Sequence, residues 1–365
     1  MKLFRVIRSR LSFMGKYHFR WLLVIAVSWT TIDVLWNRFF HISVGSGGEH
    51  AVRFNDLKAL ILRGCIVFGM SSLMGFMLLF RLREAFRNMS LLGGLLLKTA
   101  ILLVAAVFLN FLLHFSNSVL ITHMSVDNGL AVYYTEALSA MWLLHHSLGW
   151  VVLFLLTQFA MEFYEKYSPG VFWSILIGRY IHPKVERRIV LFLDLIDSTP
   201  TAEQLNSQQY FSFIRDFIYF VSVALLEYKG RIYQYVGDEV IASWPALLGR
   251  GDDCIRAVRL SEKLIRRNSR YFRKTYGYVP EFRVGIHAGE VTVGEIGIIK
   301  KDLVMSGDTM NTTARIRETC TDLNHNYLFS KEFLATTEIS WPAENIGIVE
   351  LRGKNEGIEL YALKP

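Results

Sequence analysis

Residues 231–244 read RIYQYVGDEVIASW, two runs rich in β-branched and aromatic residues that meet at Gly237 and Asp238. That pattern predicts a β-hairpin, with glycine and aspartate supplying the turn. Upstream, residues 188–194 read RIVLFLD, an apolar run that predicts a buried strand ending in a carboxylate. Between the two, residues 201–229 carry apolar side chains at helical spacing and stop at Gly230, which predicts one long amphipathic helix. Downstream come a second helix over 252–275, a strand pair in FRVGIHAGEVTVG at 282–294, and a short helix over 308–320. Three strands near Tyr327, Ile346 and Ile358 complete the series. The order is α+β, a ferredoxin-like βαββαβ plan with extensions.

The N-terminal half is different in kind. The chain has 365 residues, 52% of them hydrophobic, and a positive mean hydropathy, an apolar excess that must be local if the C-terminal half folds in water. Residues 1–164 hold 14 Lys and Arg against 7 Asp and Glu, whereas 165–365 hold 26 against 25, so the net charge of +8 belongs to the apolar half. Stretches 21–36, 64–80, 99–115 and 141–161 approach the roughly 20 apolar residues that cross a bilayer. Twenty residues precede the first run and no small-residue cleavage site follows it, so it reads as an anchor rather than a signal peptide.

Lys2, Arg5, Arg8, Arg10, Lys16 and Arg20 crowd the N-terminal side, and Arg81, Arg83 and Arg87 follow the second run. The segment from Ser116 to Ala140 has neither Lys nor Arg. The positive-inside rule then predicts an integral membrane protein of the plasma or inner membrane with both termini cytosolic. The loop after the first run, carrying Arg38, Arg53, Lys58 and Arg63, fits that rule least well. Asp33 and Lys98 read as residues near the interfaces whose charged ends reach toward water. Asn110 is a further polar candidate inside a span, and the histidines His114, His145 and His146 read as interhelical hydrogen-bonding groups more simply than as ligands of a haem or metal. The domain plan is therefore a membrane domain with four transmembrane helices over 1–164, a linker or transducing segment over 165–187 and a cytosolic domain over 188–365.

Basic residues that flank hydrophobic runs do not make a nucleic-acid-binding face, and no nucleic-acid partner is expected. Cys65, Cys254 and Cys320 are odd in number and scattered, which excludes both a disulfide framework and a zinc cluster.

Chemistry concentrates in the C-terminal half. Asp194 ends an apolar strand and Asp238 sits in a hairpin turn, so rigid elements can aim both carboxylates into one opening. Oxygen ligands of this kind suit Mg²⁺ or Mn²⁺, which leave coordination places for substrate phosphates. In NTTARIRE, Asn311 and Arg315 are four apart and share a helix face, an amide and a guanidinium suited to charge developing on a phosphoryl oxygen.

Taken in order, VLFLDLIDST, KGRIYQYVGDEV, FRVGIHAGEV and SGDTMNTTARI resemble the catalytic domain of class III adenylate and guanylate cyclases, over roughly 188–363. The resemblance implies an α+β ferredoxin-like (βαββαβ) cyclase domain, which follows the four-helix transmembrane bundle that the apolar runs predict. It makes Asp194 and Asp238 the ligands of two metal ions per active site, with Leu195 lending a backbone carbonyl and Thr199 lying near the phosphates. It makes Asn311 and Arg315 the pair that stabilises the transition state, and Arg283 and Lys354 contacts for the triphosphate. It also implies a homodimer in which the metal acids and the Asn/Arg helix come from opposite protomers.

The chain departs from the family where the purine is chosen. Gln234 stands where adenylate cyclases usually have Lys and guanylate cyclases Glu, and Val304 stands where its partner is often Asp or Thr; Ser306 lies nearby. Gln can both donate to and accept from an adenine edge, whereas guanine's N1 and N2 hydrogens favour a carboxylate, so ATP is the expected substrate. The alternatives are a guanylate cyclase and a catalytically degenerate domain that binds nucleotide and regulates a partner; a diguanylate cyclase would need a doubled-glycine signature that is missing at 237–239. The bilayer is the remaining expected partner, and the sequence identifies no ligand for the membrane domain.

Overall fold

The computed structural model describes residues 12–43, 57–82, 85, 89–134, 140–166, 174, 177–299, 302–354 and 356–364. For helix residues 12–14, 16, 37–43, 91, 132, 140–147 and 163–166 it describes the backbone alone. The chain divides into two compact units, one built on Gly15–Lys166 and the other on Tyr167–Pro365.

The first unit is helical. Its elements are α1 (Ser12–Ser43), α2 (Leu57–Phe76, extended by a π-helical turn Met77–Leu82), α3 (Leu91–Ser116, extended likewise by Asn117–Ile121), α4 (Val126–Val132) and α5 (Ala140–Lys166). Ile25 and Trp29 of α1, Val67 and Met74 of α2, Leu102 and Leu109 of α3, and Phe154 of α5 bury into one core. Hydrogen bonds cross it: Trp29 Nε1 donates to Thr157 Oγ1 at 2.9 Å, and Gln158 Nε2 to Thr99 Oγ1 at 2.9 Å. The opposite faces expose Val24, Leu35, Leu73, Leu96, Val104, Phe108 and Leu156, so these helices are apolar all round.

Two expectations change here. Arg63 is inside α2 rather than in a loop, and its guanidinium pairs with Asp33 of α1 through two hydrogen bonds of 2.6 and 2.8 Å. Both groups are buried, so Asp33 is held by a neighbouring helix instead of reaching for an interface, and Arg63 drops out of the loop charges. Lys98 of α3 lies 3.7 Å from Glu162 of α5. His114 stacks obliquely near Tyr133, and the side chains of His145 and His146 lie outside the described residues.

Helices 17–36, 57–82 and 92–121 are long and apolar enough to cross a bilayer, and α5 contributes a shorter apolar stretch, 148–162. Residues 207–227 also meet the length and composition criteria. They belong to the second unit, however, where Phe213, Phe217, Phe220 and Leu225 are fully buried in its core.

The second unit runs β1 (Lys184–Leu195), α6 (Ser198–Gln204), α7 (Ser207–Glu227), β2 (Arg231–Val236), β3 (Glu239–Pro245), α8 (Arg250–Arg267), α9 (Ser269–Tyr276), β4 (Phe282–Ile296), β5 (Asp302–Ser306), α10 (Asp308–Asp322), β6 (Tyr327–Ser330), α11 (Lys331–Leu334), β7 (Ala343–Val349) and β8 (Ile358–Leu363). One mixed sheet takes the order β2-β3-β1-β4-β6-β8-β7, with β5 paired to β4. The first four are antiparallel neighbours, β6 runs parallel to β4, and the βαββαβ order is thereby the core of the unit.

Three boundaries differ from expectation. The helix expected over 201–229 is two, because Asn206 caps α7 in a reciprocal capping box with Gln209. The helix expected over 252–275 breaks at Asn268, whose side chain bonds back to Leu264 O. FRVGIHAGEVTVG is one strand rather than two, since Gly285 and Gly289 face α10 and Gly294 faces Pro183 instead of turning the chain. Tyr180, ahead of β1, is 1% exposed and packs with Val190, Val291 and Val293.

Candidate active site

β1 is an interior strand between β3 and β4, and Ile189 to Leu193 are buried on both faces. At its end Asp194 stands opposite Arg283 on β4. One strand further out, β2 and β3 join through a turn in which Gly237 takes φ +64°, a conformation that glycine adopts without strain. That turn delivers Asp238 and Glu239 to the Asp194 end of the sheet.

These acids share one electrostatic environment. Burial raises the Asp194 carboxyl above its ordinary range, Arg317 opposes the shift and Asp238 adds to it. Burial likewise raises Glu239, again opposed by Arg317 and reinforced by Asp194 and Asp238. Tyr210 of α7 is raised chiefly by burial and then by the nearby Asp238 charge. Asp238 Oδ2 is buried with no hydrogen-bond partner, an uncompensated acceptor of the kind a cation would satisfy. Among the described residues no group of three or more His, Cys, Asp and Glu is arranged to enclose a metal. Carboxylate oxygens, one of them unpartnered, are donors of the kind that suit Mg²⁺ or Mn²⁺.

The backbone of Leu195 hydrogen-bonds the Asp194 carboxylate and its side chain is buried. Thr199 is exposed in the first turn of α6, after Asp197 enters the left-handed region at φ 54°. Arg283 lies beside Asp194 and lowers its pKa, and its Nε is buried without a hydrogen-bond partner. Lys354 pairs with Asp308 at the start of α10.

Asn311 is exposed on α10, and the Arg315 guanidinium pairs with Glu318 at 2.5 Å. The cation that meets the acids within the chain is Arg317, whose Nη1 lies 3.1 Å from Asp194 Oδ2 and Nη2 3.2 Å from Glu239 Oε1. Sequence reasoning passed over both Arg317 and Glu239. The available signals were the acid next to Asp238 in GDE and a second arginine two places beyond Arg315, which helical geometry puts on the opposite face.

Gln234 and Val304 lie on β2 and β5. A bulge between Ile232 and Gln234 frees Tyr233 from the β2–β3 register, and the Met305 amide donates to its hydroxyl at 2.9 Å. The bond ties the two strands one residue from each position. Val304 pairs with Gly294, and Ser306 is exposed opposite Thr292.

The sequence profile described as "Adenylate and Guanylate cyclase catalytic domain" matches residues 182–365. Adenylate cyclase 2 of Rhizobium meliloti (strain 1021) is 33% identical over 208 residues, covering 56% of this chain and 57% of that protein. The adenylate cyclase of Anabaena cylindrica is 24% identical over 221 residues, covering 56% and 43%. The chain thus spans about half the length of these curated relatives. A solved bacterial light-regulated adenylyl cyclase is similar in fold, with TM-score 0.52 at 20% identity over 58% of this chain and 63% of that one.

Proposed function

This chain belongs to the adenylate and guanylate cyclase catalytic domain family, and from that premise we propose that it is a membrane-bound adenylate cyclase converting ATP to cyclic AMP and pyrophosphate. The observation that carries the proposal is the meeting of strand-end Asp194 with hairpin Asp238, whose Oδ2 is buried and unpartnered. Relatives named adenylate cyclase, the first at 33% identity, support ATP over GTP.

Asp194 and Asp238 would hold two Mg²⁺ or Mn²⁺ ions, with the Leu195 carbonyl available as a further ligand. Such ions, when bound, supply a lowered pKa at the ribose 3′ hydroxyl and charge compensation at the α-phosphate. Arg283, Lys354 and the loop at Thr199 take the triphosphate. Gln234 reads the adenine edge as donor and acceptor, while Val304 adds an apolar wall and Ser306 a hydroxyl. Asn311 and Arg315 meet the charge that develops as the 3′ oxygen attacks the α-phosphorus and pyrophosphate leaves.

The working unit is a homodimer. Within one chain Arg317 meets Asp194 while Arg315 turns to Glu318, so a second copy is the source of Asn311 and Arg315 for each acid pair. The turn after β4 supports association, because Ile298 and Ile299 are 93% and 100% exposed. The apolar outer faces of α1, α2, α3 and α5 face lipid, both termini are cytosolic, and residues 165–187 link the membrane domain to the cyclase domain. Comparing ATP with GTP turnover by the chain reconstituted in lipid tests activity and substrate together.

A further inference from the structure

Arg317 occupies a position that the reaction does not explain. It is two residues past Arg315 and so on the other face of α10, the face laid against β4. From there its guanidinium bridges two carboxylates, Asp194 on β1 and Glu239 on β3. The bridge is sheltered: Arg317 and Asp194 side chains are 25% and 26% exposed, and Glu239 is 13% exposed. Asp194, Asp238 and Glu239 together would repel one another strongly in such a place without a cation. Arg317 supplies that cation by direct contact, with Arg283 nearby, and its bond to Asp194 Oδ2 competes with any cation drawn to the same carboxylate.

We infer that Arg317 is the resident counter-charge of the metal site. It holds Asp194 and Glu239 together before metal arrives, releases Asp194 as the site loads, and so sets the metal concentration at which loading occurs. This rests on the reading of Asp194 and Asp238 as the metal acids. Arg317 acts through those acids and is a positioning residue. Two consequences oppose each other, which separates the role from simple structural support. Removing the guanidinium takes away a competitor for metal, and it also leaves three carboxylates with Arg283 alone beside Asp194.

The test is a titration of the full chain in lipid with Mn²⁺ alone, following free Mn²⁺ by electron paramagnetic resonance, and thermal unfolding in the presence of a chelator. Arg317→Gln should bind Mn²⁺ about 10-fold more tightly than the unsubstituted chain, the low end of what one neighbouring charge does to a carboxylate's affinity for a cation. It should unfold at lower temperature in chelator and regain the difference when Mn²⁺ is added. Arg317→Lys should fall between, because an ammonium cannot bridge both carboxylates as a planar fork does, and it provides the same reading if the glutamine variant fails to fold. Unchanged or weaker Mn²⁺ binding in the substituted chains, with normal binding in the unsubstituted one, overturns the role of Arg317. If instead the unsubstituted chain and Asp194→Asn bind Mn²⁺ alike, the metal assignment itself is overturned and the inference goes with it.

Discussion

Gly285 on β4 lies directly beneath Arg317 on α10, so close that a Cβ at position 285 would stand 2.5 Å from the Arg317 backbone nitrogen and 2.8 Å from its Cα. Both obstacles are backbone, so no side chain can give way. Gly285→Ala should therefore lift α10 from the sheet and destabilise the domain by about 1–3 kcal/mol. Because Asn311 and Arg315 ride on the same helix, turnover should fall as well. Urea unfolding and steady-state rates on the same preparation check both, and an alanine variant of unchanged stability would show that α10 has slack.

Asp194→Asn or Asp238→Asn should abolish turnover and leave the fold intact, since an amide nearly matches the carboxylate in shape but lacks the charge that holds a divalent ion. Circular dichroism and cyclic nucleotide formation at saturating Mg²⁺ are the measurements. Near-normal rates in either variant would remove the metal assignment.

Arg315→Ala should lower kcat by about 100-fold or more with a smaller effect on KM, as expected for a contact that strengthens only with transition-state charge. Mixing inactive Arg315→Ala with inactive Asp194→Asn should restore activity, because a mixed dimer has one site with both defects and one with neither. Free exchange gives about a quarter of the unsubstituted activity. Absence of rescue despite demonstrated exchange would place both residues in one protomer's site.

Glu186 links the start of β1 to Arg179, Tyr180 and Arg188. Burial alone would raise its carboxyl, but hydrogen bonding and charge from Arg188, helped by Tyr180 and Arg179, hold it below the ordinary value of 4.5. A lowered folded pKa contributes stability that is present above the unfolded value and lost as pH falls through the folded one. Glu186→Gln should thus destabilise the protein at pH 7, and the difference should shrink below about pH 4.5. A difference that grows on acidification would contradict the assignment of charge.

The succession of elements along the chain was largely legible because apolar runs such as 188–193, a glycine-aspartate turn at 237–238 and the helical spacing of 308–320 are local signals, whereas the order of strands across the sheet was not. Helix breaks at Asn206 and Asn268 were not, since each depends on a side chain folding back onto its own backbone. The glycines of β4 misled in the opposite direction: Gly285 and Gly289 mark close approach of a helix, which spacing along one strand does not reveal. Asp33 and Arg63 are 30 residues apart, and only the packing of two helices shows that they neutralise each other. Arg317 was hidden for a related reason, because its partners lie on strands far away in sequence.

The most direct measurement is the initial rate of cyclic nucleotide formation from ATP and from GTP by the 365-residue chain in lipid vesicles with Mn²⁺, run beside Asp194→Asn. The adenine-reading role of Gln234 predicts cyclic AMP as the main product, with no formation by the asparagine variant. Cyclic GMP as the main product would contradict the assigned substrate, and no cyclic nucleotide from either would contradict the assignment as a cyclase.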